Sequence, residues 1–199
     1  MVTRTRKGTS RARRAPAAGA ARTWIALFRG INVGGRNLLP MKELAALLAE
    51  EGLDEVRTYI QSGNVVFRGA GAAAAIAERI LAAVAARFGF RPELLLLSAA
   101  DLARAASANP YPEACATPQY LHLWFLVEAP TAAGAKSLET VRAPSERFTV
   151  RDRVLYLHAP EGIGRSKLAA RAESLLGVSA TARNWRTVAQ LLELAGGTR

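Results

Sequence analysis

Four short stretches of this chain combine residue types that could hold an anion. The first is Gly30-Ile-Asn-Val-Gly-Gly-Arg-Asn37, preceded by Arg29. Glycines let backbone N–H groups approach a ligand, and a following helix N-terminus favours negative charge. Its candidate contacts are Arg29, Asn32, Gly34, Gly35 and Asn37. It is neither a P-loop nor a dinucleotide fingerprint, because both glycine spacings differ. The competing role is a long turn whose asparagines bond their own backbone. The second stretch is Gln61-Ser62-Gly63-Asn64. Gln61, Ser62 and Asn64 could face a ligand from a strand end. As a hairpin turn, Gly63-Asn64 could instead supply positive φ angles.

The third stretch, Gly162-Ile-Gly-Arg-Ser-Lys167, is the strongest candidate. Cations at a helix start oppose the helix dipole. An anion held between Arg165, Ser166 and Lys167 would account for them; simple capping by Ser166 is the alternative. The fourth is Arg183-Asn184-Trp185-Arg186, where Arg183 and Asn184 are candidate contacts. Asn184 also suits an N-cap, and Trp185 a core anchor.

Catalytic signals are weaker. His122 and His158 lie on or beside apolar strands, where histidine is usually structural. Cys115 has no histidine near it in sequence, and no motif pairs two carboxylates. One cysteine and two histidines leave no set of residues for zinc, so no metal site is expected.

The elements that must position these stretches follow from periodicity. Residues 24–29 read as a buried strand. Pro40 opens a helix through Met41, Leu44, Leu47 and Leu48 that stops at Gly52. Residues 56–60 and 65–67 form a hairpin about the Gln61–Asn64 turn. Ile76, Ile80, Leu81, Val84 and Phe88 mark a long helix over 72–88. A short strand at 94–97 and a helix at 101–108 complete the first half. The second half repeats the order: strand 120–127, weak helix 131–141, hairpin strands 146–150 and 154–157, helix 164–176, strand 178–182 and helix 185–194.

The offset is about 90 residues, judged from Val65 against Val154 and Leu94 against Val178. The predicted fold is α+β, with two repeated ferredoxin-like (β-α-β-β-α-β) subdomains. One continuous sheet made by both halves is the alternative. The boundaries expected are a disordered basic tail over 1–22, a first subdomain over 23–112 and a second over 113–199. Trp24, Leu27, Ile60, Val65 and Phe67 are predicted to lie beneath the helix carrying Ile76, Ile80 and Val84.

The net charge of +11 is unevenly spread. Residues 1–22 carry seven basic residues and no acidic one. The remainder sets twenty basic residues against all sixteen acidic ones, a net +4. Arginine outnumbers lysine 23 to 4, which with the abundant alanine fits a GC-rich coding sequence. The tail has too little apolar surface to offset its ordering entropy and lacks the apolar core of a secretory signal. No apolar run is long enough for a membrane helix.

Several of these stretches also resemble one family. Ile25 to Asn37, Pro40-Met41, Arg57 to Phe67, Pro160 to Leu168 and Ala182 to Val188 resemble the family catalogued as domain of unknown function 1697. The resemblance runs in matching order over about residues 24–195, and the extension 1–22 is a departure from it. It implies a bacterial cytosolic protein with a ferredoxin-like α+β fold, and no activity. Function must therefore come from the residues. They suggest binding of a phosphorylated or otherwise anionic small molecule, such as a nucleotide. A nucleic-acid-binding protein using a basic sheet surface is one alternative. An enzyme acting on a phosphorylated substrate is the other.

Overall fold

The structure is a computed structural model and describes residues 20–196. Residues 1–19 of the expected disordered tail lie outside the described residues; at its end Arg22 opens the first strand and pairs with Gly69. The first half runs β1 (Arg22–Arg29), α1 (Met41–Glu50), β2 (Asp54–Tyr59), β3 (Asn64–Gly69), α2 (Ala73–Phe88), β4 (Glu93–Ser98) and α3 (Ala99–Ser107). The second runs β5 (Leu121–Leu126), α4 (Ala132–Ser137), β6 (Arg147–Arg151), β7 (Val154–His158), α5 (Lys167–Leu176), β8 (Ala180–Asn184) and α6 (Trp185–Gly196). Each half forms its own four-stranded antiparallel sheet, ordered β2-β3-β1-β4 and β6-β7-β5-β8. Both orders are ferredoxin-like, so the single continuous sheet is not formed.

Strand alternation decides what each sheet buries. Trp24, Ala26 and Phe28 of β1 face α1 and α2, joining Leu44, Leu48, Ile76, Ile80 and Val84. Ile25 and Leu27 face the other way, into a cluster with Leu102 of α3, Leu123 and Phe125 of β5, and Val188 and Leu191 of α6. On the far side of the second sheet, Leu126, Leu155 and Leu157 pack on Leu168, Ala172 and Leu176 of α5. Helices α3 and α6 therefore sit between the sheets and share one core. The middle strands β1, β3, β5 and β7 are almost entirely buried. The outer strands β2, β4, β6 and β8 are half-buried to exposed along most of their length.

Two core expectations also change. Leu27 is buried, but on the opposite face from Ile80. Ile60 is 53% exposed, because it lies in the β2–β3 turn at φ 48°, a left-handed conformation unusual for a β-branched side chain. Its positive φ and that of Gly63 shape the turn; Asn64 already belongs to β3. Helix α3 begins two residues earlier than expected. Ser98 accepts from the Asp101 N–H while the Asp101 carboxylate accepts from the Ser98 N–H, a capping box. β8 reaches Asn184 rather than 182, which places Arg183 within a strand. Among the described residues, no helix is long and apolar enough to cross a membrane.

Ile80 and Ile60 separate burial from backbone strain. Ile80→Ala should cost about 2–5 kcal/mol in urea unfolding. Ile60→Asn should be neutral or stabilising by up to about 1 kcal/mol, since asparagine tolerates the left-handed region.

Candidate functional site

The connection 30–40 leaves the end of β1 as a small hairpin. Val33 and Arg36 pair across Gly34 (φ 60°) and Gly35 (φ 72°), the two positive angles of a type I′ turn. Asn32 Nδ2 donates to Leu39 O (3.0 Å) and Gln61 O (2.9 Å), and its Oδ1 accepts from the Leu39 N–H (2.8 Å). Asn37 Nδ2 donates to Gly30 O at 2.8 Å. Both amides thus bond the backbone of their own loop and its neighbour. Gly34, Gly35 and Arg36 remain exposed at the tip.

The Gln61–Asn64 turn closes against this loop. A side chain at Gly63 would come within 2.7 Å of Phe28 and Ile31, so glycine is required there for space as well as for its φ of 76°. Gln61 and Ser62 are exposed, whereas Asn64 is completely buried. Asn64 Nδ2 donates to Tyr59 O (3.2 Å) and Ser62 Oγ (2.9 Å), and its Oδ1 accepts from Arg183 Nε of the second half. Arg183 also donates to Phe28 O (2.8 Å), Ser62 O (3.1 Å) and Ala182 O (2.8 Å). Desolvation pushes its pKa down to about 10, so it remains a cation at neutral pH. Four oxygens of neutral groups, and no carboxylate, offset the cost of that desolvated charge.

Arg29 makes a second tie across the halves. Its Nη1 and Nη2 meet Glu173 Oε1 and Oε2 of α5 at 2.5 and 2.6 Å, a bidentate pair, and Nη1 also reaches Ala180 O at 3.1 Å. The hydrogen bond with Glu173 holds the Arg29 guanidinium above its ordinary pKa. Glu173 further accepts from the Ala180 N–H (2.8 Å), fixing the start of β8.

The loop after β7 is built differently. Gly162 takes φ 96°, a single 3-10 turn follows, and Ser166 caps α5 by accepting from the Ala169 N–H at 2.9 Å. Ser166 is buried, whereas Arg165 and Lys167 on either side are exposed and, among the described residues, make no ion pair or side-chain hydrogen bond. A crevice of about 20 Å³ beside them is lined partly by Glu146 and Glu161. Glu146 accepts from the Ala143 N–H and Glu161 from Ser145 Oγ. The two glycine-rich loops are not equivalents in the repeat. Residues 30–40 join β1 to α1, while 159–166 join β7 to α5. Among the described residues, no hydrogen bond or ion pair links them.

Asn184 caps α6 by accepting from the Thr187 N–H at 3.0 Å, and Trp185 packs on the shared core. His122 is only 8% exposed, and burial pushes its pKa down. His158 is pushed down by burial and by Arg147, whose Nη2 lies 3.3 Å from His158 Nδ1. Burial raises the Cys115 thiol pKa, and Asn109 donates to its sulfur. No group of three His, Cys, Asp or Glu among the described residues could hold a metal. Sequence reasoning missed Glu173, which carried no motif of its own, and the Arg151–Arg153 turn, which read only as a hairpin.

Residues 21–156 match the family described as protein of unknown function (DUF1697). The chain belongs to that family. The stretches Pro160–Leu168 and Ala182–Val188 lie beyond the matched segment. The fold is similar to that of conserved bacterial protein SP0830 from Streptococcus pneumoniae, with a TM-score of 0.68 and 23% identity. That alignment covers 88% of this chain and 99% of the other. Comparison with curated proteins finds no match.

The Arg183 tie should be structural. Arg183→Ala strands buried oxygens and should cost about 3 kcal/mol in urea unfolding, against under about 0.5 kcal/mol for the exposed Arg165→Ala. The histidines set an acid limb. Their folded pKa values lie below the unfolded value of 6.5, so the unfolded chain takes up protons first. Stability should be full above pH 6.5 and fall as pH drops below it. His122→Gln should flatten that part of a melting-temperature profile.

Proposed function

We propose that this protein binds a phosphorylated or otherwise anionic small molecule at the head of α5. The observation that carries the reading is the contrast among the candidate cations. Arg29 and Arg183 are spent on ties between the halves. Arg165 and Lys167 are exposed and, among the described residues, unpaired; they flank the cap of a ten-residue helix. The first-turn N–H groups there have no intrahelical acceptor and carry the positive end of the dipole. A Cβ on Gly162 or Gly164 would meet nothing within 4 Å, so their backbone is open to approach. Ser166 supports the site as its cap rather than as a free donor. Glu146 and Glu161 border one side and restrict the anion to the helix side of the loop.

Binding is favoured over catalysis on phosphorylated substrates. Among the described residues, no serine, threonine or cysteine is hydrogen-bonded to a histidine. The same reading places the protein in the cytoplasm, where Cys115 needs no disulfide partner.

Inorganic phosphate and adenosine monophosphate are suitable probes. Each should raise the melting temperature with dose, approaching about 2.7 kcal/mol of stabilisation at a hundred times its Kd. Replacing Arg165 and Lys167 together by alanine should remove the shift and leave the unliganded melt unchanged. No shift, or an equal shift in the double variant, would refute the site.

A further inference from the structure

We propose that the cleft between the two halves binds a small monocarboxylate bearing an aromatic or branched apolar group. This site shares no residue with the head of α5 and is independent of the reading given above. The cleft opens between β4 and α3 on one side and β5 with the β6–β7 hairpin on the other. Its volume is about 130 Å³. An apolar protein cavity of roughly 150 Å³ accommodates a benzene ring, so the space here suits one ring or a branched chain.

The lining divides into an apolar floor and a charged rim. Leu95, Leu97, Ala105, Ala108 and Phe125 form the floor. Tyr156 adds its ring, because its hydroxyl already donates to Ala105 O at 2.8 Å. At the rim, Arg104 is neutralised by an ion pair with Asp101, whose carboxylate also accepts from Ser98. Among the described residues, Arg151 and Arg153 have no ion-pair partner. Each directs one nitrogen at a backbone carbonyl: Arg151 at Ala108 O (2.7 Å) and Arg153 at Val127 O (3.4 Å). Their remaining N–H groups are available for a forked contact with a carboxylate.

Asp152 lies between them at the hairpin turn, at φ 49°. Two guanidinium groups against one carboxylate leave an excess of one positive charge at the rim. A monoanion matches that excess, and a phosphate dianion exceeds it. Apolar body and single carboxylate are therefore specified by different parts of one cleft.

Titration with 3-phenylpropanoate, followed by calorimetry and by amide chemical shifts, tests the assignment. Propanoate and 3-phenylpropan-1-ol isolate the two halves of the ligand. The carboxylate with the ring should bind saturably and shift the amides of Ala105, Ala108 and Phe125, with both partial ligands weaker. Replacing Arg151 and Arg153 together by alanine should weaken 3-phenylpropanoate by about tenfold or more and leave the alcohol unaffected. Ala108→Leu should fill the cleft and abolish binding of both; Ala105→Val is a second filling variant, and thermal melts identify whichever remains folded. The Arg165 and Lys167 double variant should bind 3-phenylpropanoate as the unmodified protein does. Absence of saturable binding, undiminished binding in a folded cleft-filling variant, or propanoate binding as tightly as 3-phenylpropanoate would overturn the proposal.

Discussion

The structure depends on strands that are apolar on both faces. β1 directs Trp24, Ala26 and Phe28 to one side and Ile25 and Leu27 to the other. The helices α1 and α2 can cover only the first set. β5 and β7 pose the same problem in the second half, where α4 and α5 cover a single face. Leaving the inner faces in water would expose several large side chains, each worth about 1.5–3 kcal/mol when buried. The halves meet that constraint together. Each contributes its last helix, α3 or α6, to a layer between the sheets, and the inner faces close around it.

This shared layer explains where the arginines lie. At one end of the seam Arg29 reaches from β1 to α5 and finds a carboxylate, Glu173. Nearby, Arg183 reaches from β8 into the β2–β3 turn and finds only neutral oxygens. The second arrangement is the more demanding one. A cation without a counter-ion is held only where several acceptors are fixed in advance, and Gly63, Asn64 and the end of β1 fix them. The turn that resembles a ligand site in sequence is thus largely occupied by a side chain of the same chain. Elsewhere along the seam the sheets do not close completely, and the cleft beneath Arg151 and Arg153 is the space left over.

Much of the fold was legible because its signals are local. Met41, Leu44, Leu47 and Leu48 have helical spacing and are all buried on α1. Ile76, Ile80 and Val84 behave alike on α2, and Gly89 ends that helix in a left-handed cap. The repeat could be read from element order although side-chain identity between halves is poor. Ile60 was misjudged because β propensity says nothing of a turn's backbone angles. Leu27 does not share a face with Trp24, because residues three apart on a strand point to opposite sides, and that alternation outweighs apolar character. The candidate site was harder to read for a different reason. Glycine, asparagine and arginine in a loop look the same whether they serve a ligand or the chain itself. Only the positions of Leu39 O within the loop, and of Gln61 O and Glu173 distant in sequence, decide between the two.

The central claim is that the two halves stabilise one another through the shared layer of α3 and α6. Native-state amide exchange tests this directly, since β1 and β3 report on the first sheet while β5 and β7 report on the second. If the core is shared, the most protected amides of all four strands should exchange at one common opening free energy, equal to that of global unfolding. A first sheet that opens at a free energy well below that of the second, or the reverse, would show two independently stable halves and contradict the account.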